Sequence, residues 1–319
     1  MDEHVLVRRY DSVAGFRAAA EPYLLRHEAE HCLPLGILSG LEAGEWADPF
    51  LATVDVAGGT ALVAMRTPPH RLIVSKVSDG ADLAAVVGAL TVALTVALGG
   101  ARAAALTGAP ADAMADAMAD AMGGSLDQDL LGVLGDVRVA EAFAERWCGH
   151  HEPSWRTAMA QRIYRCDHVD PVPPVAGQMR LITDDDRDLL RAWTAAFVEE
   201  SLPGEPFDAD AHVERLLASL VRRMWLWDVV GEPVAMTSAV GPTPNGIRIS
   251  FVYTPVATRR RGYATALVAA VTQAMLDEGR RFCSLFTDLA NPTSNAIYQR
   301  IGYRPVSDVA VIDFERPAG

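Results

Sequence analysis

The chain has 319 residues, which is long for one ordinary domain and suits two, since a domain takes roughly 150 residues. Half of the residues are hydrophobic and 22% are charged, so the composition excludes a mainly disordered chain. The formal net charge of −13 disfavours binding to nucleic acid or to an anionic membrane, because both require a basic surface. Small molecules and cationic partners remain open.

Targeting features point to a soluble, cytoplasmic protein. The first residues, MDEHVLVRRYDS, are polar and lack the apolar core of a secretory signal. The four cysteines are scattered without a CxxC pair, which is typical of a reduced chain with buried thiols. Residues 83–98 carry no charge, but the segment is shorter than the roughly 20 residues that a bilayer requires. We therefore expect a buried helix there and no membrane partner.

The N-terminal half is predicted to mix helices and strands. In chain order we expect helical stretches over residues 12–32, a hairpin at 57–59, a strand at 71–77, the apolar helix, a strand near 101–106 and another helix. Within that last helix Ala-Asp-Ala-Met is repeated over residues 111–122. Methionine at every fourth residue favours a face turned to the core over a methionine-lined binding stripe.

One short motif in this half is typical of zinc peptidases. His27-Glu28-Ala29-Glu30-His31 fits H-E-x-x-H, in which two histidines bind zinc and the glutamate activates water. Pro34 is expected to end the helix almost at once, and only Glu42 or Glu45 lies close downstream as a third ligand. A charged surface helix is the better interpretation, so we expect no metal and keep a zinc metallopeptidase as a minor alternative.

A proline-rich segment divides the sequence. Residues 171–177 contain three prolines and a glycine, which excludes a helix and disfavours a central strand. We predict a domain over residues 1–166, a linker over 167–177 and a second domain over 178–319.

The second domain is predicted to alternate strands with helices. We expect a strand at 178–182, a helix capped by Thr183 or Asp184 and ending near Glu200, and a helix at 211–223. Strands at 224–230, 233–240 and 246–254 follow, then a helix at 262–278, a strand at 281–287, a helix at 292–301 and a strand at 309–314. This order predicts an α/β (α+β) domain with a mixed central sheet flanked by helices.

The strongest chemical feature is the basic loop that opens the long helix. Arg259, Arg260 and Arg261 follow an apolar strand and immediately precede Gly262 and Ala264. The first turn of a helix presents unpaired N–H groups and a partial positive charge, and small residues let phosphate oxygens approach the backbone. The pattern indicates an anion site, although a solvated basic turn is the simpler alternative.

Arg259-x-x-Gly262-x-Ala264 resembles the Arg/Gln-x-x-Gly-x-Gly/Ala signature of the GNAT superfamily of acyl-coenzyme A-dependent N-acyltransferases. The resemblance implies that the loop holds the coenzyme A pyrophosphate, and that the backbones of Val252 and Thr254 bind the pantetheine arm. The residues implied in the pyrophosphate site are Arg259, Arg260, Arg261, Gly262, Tyr263, Ala264 and Thr265.

A second pattern supports the resemblance. Asn291 through Tyr298 to Gly302-Tyr303 is similar to the family's later element, Asn…Tyr-x-x-x-Gly-Phe/Tyr. The resemblance implies that Asn291 and Asn295 lie at the cofactor and that Tyr298 is the catalytic acid. An asparagine before a proline is also an ordinary helix start, and a tyrosine at helical spacing also packs in cores.

The implied reaction transfers an acetyl group from acetyl-coenzyme A to a primary amine by direct attack in a ternary complex. Tyr298 would give a proton to the leaving thiolate, and a backbone N–H of residues 251–253 would hold the oxyanion. The fourth strand lacks the glutamate that several family members carry, so Glu200 is the candidate base, with a solvated helix-end carboxylate as its alternative. The acceptor is expected to be a small-molecule or peptide amine.

The N-terminal half resembles a second, degenerate GNAT domain, so the fold class implied is tandem GNAT-like domains. Its corresponding loop carries Asp79 and Asp82, which would satisfy the helix N-terminus and repel a pyrophosphate. We expect this half to bind no coenzyme A and to shape the acceptor cleft or a homo-oligomer interface. A non-catalytic coenzyme A-binding sensor or scaffold stays an alternative, as does a substrate like that of mycothiol synthase, which also has tandem GNAT domains.

Overall fold

The computed structural model describes residues 4–99, 130–151, 154–202, 207–219 and 222–315. Within them the chain forms two compact units, each with its own hydrophobic core. The first unit contains Met1–His27, Gly40–Gln161 and Asp308–Gly319, and the second contains Glu28–Ser39 and Arg162–Ser307. Each unit therefore combines segments that are far apart in the sequence.

The first half of the sequence contains six strands and four helices in its described part. In chain order these are β1 (Val5–Arg9), α1 (Val13–Leu24), α2 (Cys32–Glu42), β2 (Phe50–Val56), β3 (Gly59–Arg66), β4 (Leu72–Val74), α3 (Leu83–Gly99), β5 (Gly132–Asp136), α4 (Val137–His151) and β6 (Ser154–Cys166). Most of α2 belongs to the second unit, as do residues 162–166 of β6.

The second half contains six more strands and four helices in its described part. They are β7 (Gln178–Leu181), α5 (Arg187–Ser201), α6 (Ala209–Ala218), β8 (Arg223–Val229), β9 (Glu232–Val240), β10 (Gly246–Tyr253), α7 (Tyr263–Asp277), β11 (Phe282–Asp288), α8 (Pro292–Ile301) and β12 (Arg304–Glu315). From Asp308 onward, β12 belongs to the first unit.

The sheet of the first unit has the order β1-β2-β3-β4-β5-β12. Neighbouring strands are antiparallel except for β4 and β5, which are parallel. Parallel neighbours need a crossover connection, and the apolar helix α3 lies in it. Leu90 on α3 packs in the same core as Phe143 and Trp147 on α4, and all three are completely buried. This core stabilises the unit through apolar burial.

The sheet of the second unit has the order β6-β11-β10-β9-β8-β7. Strands β7 to β10 are antiparallel, and β10 is parallel to β11 with α7 in the crossover. On one face, α7 and α8 pack Leu267 and Ile301 against Ile247 and Ile249 of β10. On the other face, α5 and α6 pack against β8 and β9. The predicted mixed sheet flanked by helices is confirmed.

One helix prediction in the first half is wrong. Of the two helical stretches expected over residues 12–32, the first is α1, which ends at Leu24, whereas the second, α2, begins only at Cys32 and lies beyond the expected range. Pro34 does not end a helix but lies in the first turn of α2. Proline is tolerated there because the N–H groups of a first turn have no acceptor within the helix.

The structure also bears on the predictions about the cysteines, the apolar helix and the repeat. All four cysteines are free thiols, with Cys32, Cys166 and Cys283 buried and Cys148 half-buried. In the described ranges, no helix combines the length and the apolar character that crossing a bilayer demands. The expected strand near 101–106 and the repeat at 111–122 lie outside the described residues.

The proline-rich segment packs on the second unit. The backbone N–H of Asp170 donates to the carbonyl of Ile301 at 2.7 Å. The indole of Trp227 on β8 donates to the carbonyl of Ala176 at 2.9 Å. Val172 and Val175 pack against the core beneath α7. This segment therefore adds a covering layer next to the start of α7.

Candidate functional site

The basic loop leads from β10 into the N-terminus of α7. The hydroxyl of Thr258 donates to the carbonyls of Val234 and Pro255, which fixes the loop against β9. Gly262 is the N-cap residue of α7 with φ of 84°, and no side chain caps the helix. A Cβ at this glycine would lie 3.0 Å from Cγ1 of Val175. Gly262 therefore provides both the left-handed backbone and the space that the turn requires.

The charges around this helix start are accessible. Arg259, Arg260 and Arg261 are all exposed, whereas Thr265 in the first turn is buried. The 15-residue helix α7 directs its partial positive charge toward the same place. Together these groups form a site suited to a polyanion.

The end of β10 is bulged. Phe251 has φ of 50°, and the register between β10 and β9 shifts between Ser250 and Tyr253. The parallel register with β11 covers residues 246–248, before the bulge. A bulge frees backbone groups from the ladder, and such distortions are common beside active sites. Val252 and Thr254, the predicted pantetheine contacts, follow the bulge directly.

The predicted base contacts one of the predicted phosphate ligands. Nη2 of Arg259 donates to Oε2 of Glu200 at 2.6 Å, and Nε of Arg259 donates to the carbonyl of Thr254 at 2.8 Å. The guanidinium also lies 5.8 Å from the ring centre of Tyr253. Partial burial, and next the Glu200 carboxylate, raise the pKa of Tyr253 above its ordinary value. Helix α5 and the basic loop are thus joined through Arg259.

Tyr298 lies on α8 with only 6% of its surface exposed. Its ring packs edge-on against Tyr303, with centroids 6.0 Å apart. Among the described residues, no group hydrogen-bonds its phenol oxygen. Burial raises the pKa of Tyr298 well above its usual value of 10, so the phenol is protonated at neutral pH and can donate.

The two predicted asparagines of the cofactor site hold α8 in place. Oδ1 of Asn291 accepts the backbone N–H of Ser294 at 3.0 Å as the N-cap. Nδ2 of Asn295 donates to the carbonyls of Asp288 and Asn291, and its Oδ1 accepts the phenol of Tyr164 at 3.0 Å. These contacts give both side chains structural roles, and their contact with a cofactor stays a prediction.

The zinc-like motif has a different use in this fold. Both carboxylate oxygens of Glu28 accept hydrogen bonds, from the hydroxyl of Thr243 at 2.6 Å and from the backbone and amide nitrogens of Asn245 at 2.7 and 2.8 Å. Glu28 therefore closes the turn between β9 and β10. This engagement argues against its acting as a water-activating base, and the described residues hold no group of three or more metal-binding side chains.

The corresponding helix start in the first unit is already occupied. Oδ1 of Asp82 accepts the backbone N–H groups of Ala84 and Ala85 at 2.9 and 3.4 Å, at the N-terminus of α3. The expectation that a carboxylate satisfies this terminus is confirmed. A pyrophosphate at α3 would have to displace Asp82.

Two polar residues on β10 and β11 were not predicted. Arg248 and Ser284 are register partners on the parallel pair, so their side chains share one face of the sheet. Their Nε and Oγ atoms are buried without a hydrogen bond of normal geometry among the described residues, and the Cys32 thiol lies close to both side chains. The available sequence signal was the alternation of Ile247 and Ile249 with Arg248, which is also the pattern of an ordinary half-exposed strand.

Comparisons with known proteins agree with this geometry. The acetyltransferase (GNAT) family model matches residues 187–303. A Drosophila protein is 14% identical, with 98% of this chain and 99% of that chain covered and a TM-score of 0.57. A GCN5-related N-acetyltransferase from Sphaerobacter thermophilus is also 14% identical, with 98% and 96% covered and a TM-score of 0.56.

A third solved structure, an acetyltransferase from the GNAT family of Colwellia psychrerythraea, is 9% identical over 98% of this chain and all of its own, with a TM-score of 0.51. These structures show that the fold extends over nearly the whole chain. A search of curated proteins found no match. The family match, the fold and the bulged strand that leads into an open helix N-terminus agree with one another. Residues 187–303 match an acetyltransferase (GNAT) domain, and the protein is an acyltransferase.

Proposed function

We propose that the protein transfers an acetyl group from acetyl-coenzyme A to a primary amine by direct attack in a ternary complex. The observation that supports this most is the helix start at Gly262, uncapped by any side chain, flanked by three exposed arginines and preceded by the bulge of β10. In a chain with a net charge of −13, this local cluster of positive charge is suited to the pyrophosphate of the cofactor.

Cofactor binding would use backbone and charged groups in order along the chain. The N–H groups of the first turn of α7, with Arg260 and Arg261, would hold the pyrophosphate. The backbones of Val252 and Thr254 would bind the pantetheine arm as an added strand does, since they follow the bulge. A backbone N–H of residues 251–253 would then lie near the thioester oxygen.

The transfer itself forms a C–N bond and breaks the C–S bond. The neutral amine attacks the thioester carbonyl, and its surplus proton leaves to a base while coenzyme A departs as a thiolate. Tyr298 would donate its phenol hydrogen to that thiolate, because burial keeps the phenol protonated. Its oxygen makes no other hydrogen bond within the described residues, so the donor is uncommitted.

Glu200 is the proposed base or amine-binding carboxylate. Its carboxylate is paired with Arg259 at 2.6 Å. A bound pyrophosphate would compete for Arg259, since a phosphate accepts the same guanidinium donors. Cofactor binding would thereby release Glu200 for the amine, directly or through a water molecule. The first unit, with Asp82 at its helix start, would bind no coenzyme A.

Acetyl-coenzyme A binding and turnover test this function together. We expect acetyl-coenzyme A to raise the melting temperature of the wild type and of Arg138→Glu, an equal charge change on an exposed residue of α4, but not of Arg261→Glu. Release of free thiol with a panel of amines measures turnover. Stabilisation without thiol release from any amine would favour the non-catalytic sensor or scaffold. No stabilisation, or equal stabilisation of both variants, would remove the cofactor assignment.

A further inference from the structure

Arg248 is a half-buried cation of the second unit without a matching anion among the described residues. Its Nε is buried and makes no hydrogen bond within the described residues, and its guanidinium lies 5.9 Å from the ring centre of Phe286. None of the carboxylates that the structure describes pairs with it. Burying an unpaired charge is costly, so an arginine in this position requires an explanation.

The neighbouring groups do not neutralise Arg248. Burial raises the pKa of the Cys32 thiol, although Arg248 opposes this effect, so Cys32 is a neutral thiol and not a counter-ion. Burial lowers the pKa of Arg248 itself, and the positive charge of Arg222 lowers it further. Burial and the charges of Arg215 and Arg222 also lower the pKa of His212, to about 4. Arg222 therefore adds positive charge to the surroundings of Arg248 and does not neutralise it.

A second polar group lies directly beside Arg248. Ser284 is its register partner on β11 and shares its face of the sheet. The side chain of Ser284 is completely buried beside the Cys32 thiol, and its Oγ makes no hydrogen bond of normal geometry within the described residues. A planar guanidinium and an adjacent hydroxyl are the donors that a carboxylate accepts best.

The two donors lie on the strand that carries the proposed reaction centre. The bulge at Phe251 is three residues beyond Arg248 on β10, which corresponds to roughly 10 Å along a strand. The Arg248 guanidinium reaches toward Phe286, which is two residues beyond its register partner Ser284. A ligand that contacts Arg248 and also reaches the bulge would therefore have its anionic group several bonds from its amine.

We propose that Arg248 and Ser284 bind a carboxylate of the amine acceptor. The acceptor class is then an amine that carries a carboxylate at a distance, such as an ω-amino acid or the C-terminus of a short peptide. This inference rests on the proposed acetyl transfer. It specifies which amines are used, and a cationic polyamine is not among them.

Matched acids and amides test the inference. Thiol release from acetyl-coenzyme A is measured with ω-amino acids of increasing chain length and with the corresponding amino amides. The wild type is expected to use the best acid with a kcat/KM about 10- to 100-fold above that for its amide, the range of a charge-assisted hydrogen bond. Equal use of both, or preference for the amides, would overturn the proposal.

Two variants separate recognition from general damage. Arg248→Gln is expected to bring the acid-to-amide ratio of kcat/KM to about one, and Ser284→Ala to lower it by about 2- to 10-fold. Arg248→Lys keeps the charge but loses the planar fork, so an intermediate ratio is expected. A loss that affects acids and amides alike, with the ratio preserved, would assign Arg248 a structural role instead.

A binding measurement makes the result independent of turnover. In thermal melts without acetyl-coenzyme A, 6-aminohexanoate is expected to stabilise the wild type more than 6-aminohexanamide does, and this difference should disappear in Arg248→Gln. If no amine releases thiol, the proposed function fails while this melt still decides the role of Arg248. Absence of the difference in the wild type would reject the carboxylate site even if acetyl transfer is observed.

Discussion

The ion pair between Glu200 and Arg259 predicts that one substitution will strengthen cofactor binding and weaken catalysis. Glu200→Gln keeps the size of the side chain and an acceptor oxygen but removes the charge that holds Arg259 at 2.6 Å. Arg259 would then be free for the pyrophosphate before the cofactor arrives. The same change removes the carboxylate proposed to receive the proton of the amine.

The magnitude follows from how exposed the pair is. The side chains of Arg259 and Glu200 are 40% and 42% exposed, so water screens their attraction. Exposed ion pairs contribute about 0.2 to 1 kcal/mol, which corresponds to a Kd for acetyl-coenzyme A about 1.4- to 5-fold lower in Glu200→Gln. Loss of a general base would lower kcat by about 100-fold or more.

Calorimetric titration with acetyl-coenzyme A and initial rates of thiol release measure the two effects separately. Glu199→Gln is the matched control, because Glu199 is the preceding residue of α5, is also exposed and carries the same charge without contacting Arg259. Raising the salt concentration should reduce the difference in Kd, since ionic screening weakens surface pairs.

Two results would refute this reasoning. If Glu200→Gln bound acetyl-coenzyme A no more tightly than Glu199→Gln, the pair would not compete with the cofactor. If its kcat equalled that of Glu199→Gln, Glu200 would have no part in the chemistry. A fall in the kcat of Glu200→Gln with an unchanged Kd for acetyl-coenzyme A would support Glu200 as the base. It would reject competition between Glu200 and the cofactor for Arg259.

Three further predictions concern single residues. Tyr298→Phe is expected to lower kcat about 100-fold with acetyl-coenzyme A affinity and melting temperature retained, because the phenol oxygen has no hydrogen bond to lose within the described residues; an unchanged kcat would reject the acid role. His212 has its pKa lowered from 6.5 to about 4, so the neutral form stabilises the fold above pH 6.5 and this stability is lost as the pH falls toward 4. Urea unfolding should show a loss of about 2 kcal/mol between pH 7 and pH 5 that is largely absent in His212→Gln, and equal slopes would contradict the assignment. Glu28→Ala should lower the free energy of unfolding by about 2 kcal/mol, because the donors of Thr243 and Asn245 lose their acceptor, whereas a similar loss on treating the wild type with EDTA would favour the zinc alternative.

The elements around the candidate site could be predicted because their signals are local. Ile247 and Ile249 alternate along β10, Gly262 marks the change to helix, and Asn291-Pro292 starts α8. Each signal depends on a few consecutive residues, which fix the backbone through sterics and capping. The two patterns that resemble the family, at residues 259–264 and 291–303, could be recognised for the same reason, since each lies within a short stretch of sequence.

Contacts between distant residues could not be predicted from such signals. Glu28 and Thr243 are 215 residues apart, and Glu200 and Arg259 are 59 apart. A single sequence does not reveal which carboxylate accepts hydrogen bonds from which donor. The sequence therefore placed Glu28 in a zinc-like motif, and it predicted Glu200 as a base without a partner. The prediction that Pro34 ends a helix was wrong for a related reason. A proline breaks a helix in its interior but is tolerated in its first turn, so its effect depends on where α2 begins.

The interleaved composition of the two units bears on how the protein can be dissected. A fragment that ends at residue 166 would lose β12, whose Ile312 carbonyl lies where a Cβ on Gly132 would be, at 1.9 Å. A fragment that starts at residue 178 would lose Glu28 from the turn after β9 and Tyr164 from its bond with Asn295. Separating the chain at its proline-rich segment would leave each piece with an unpaired sheet edge and an incomplete core. The proline-rich segment is therefore a poor place at which to divide the chain for expression of either part.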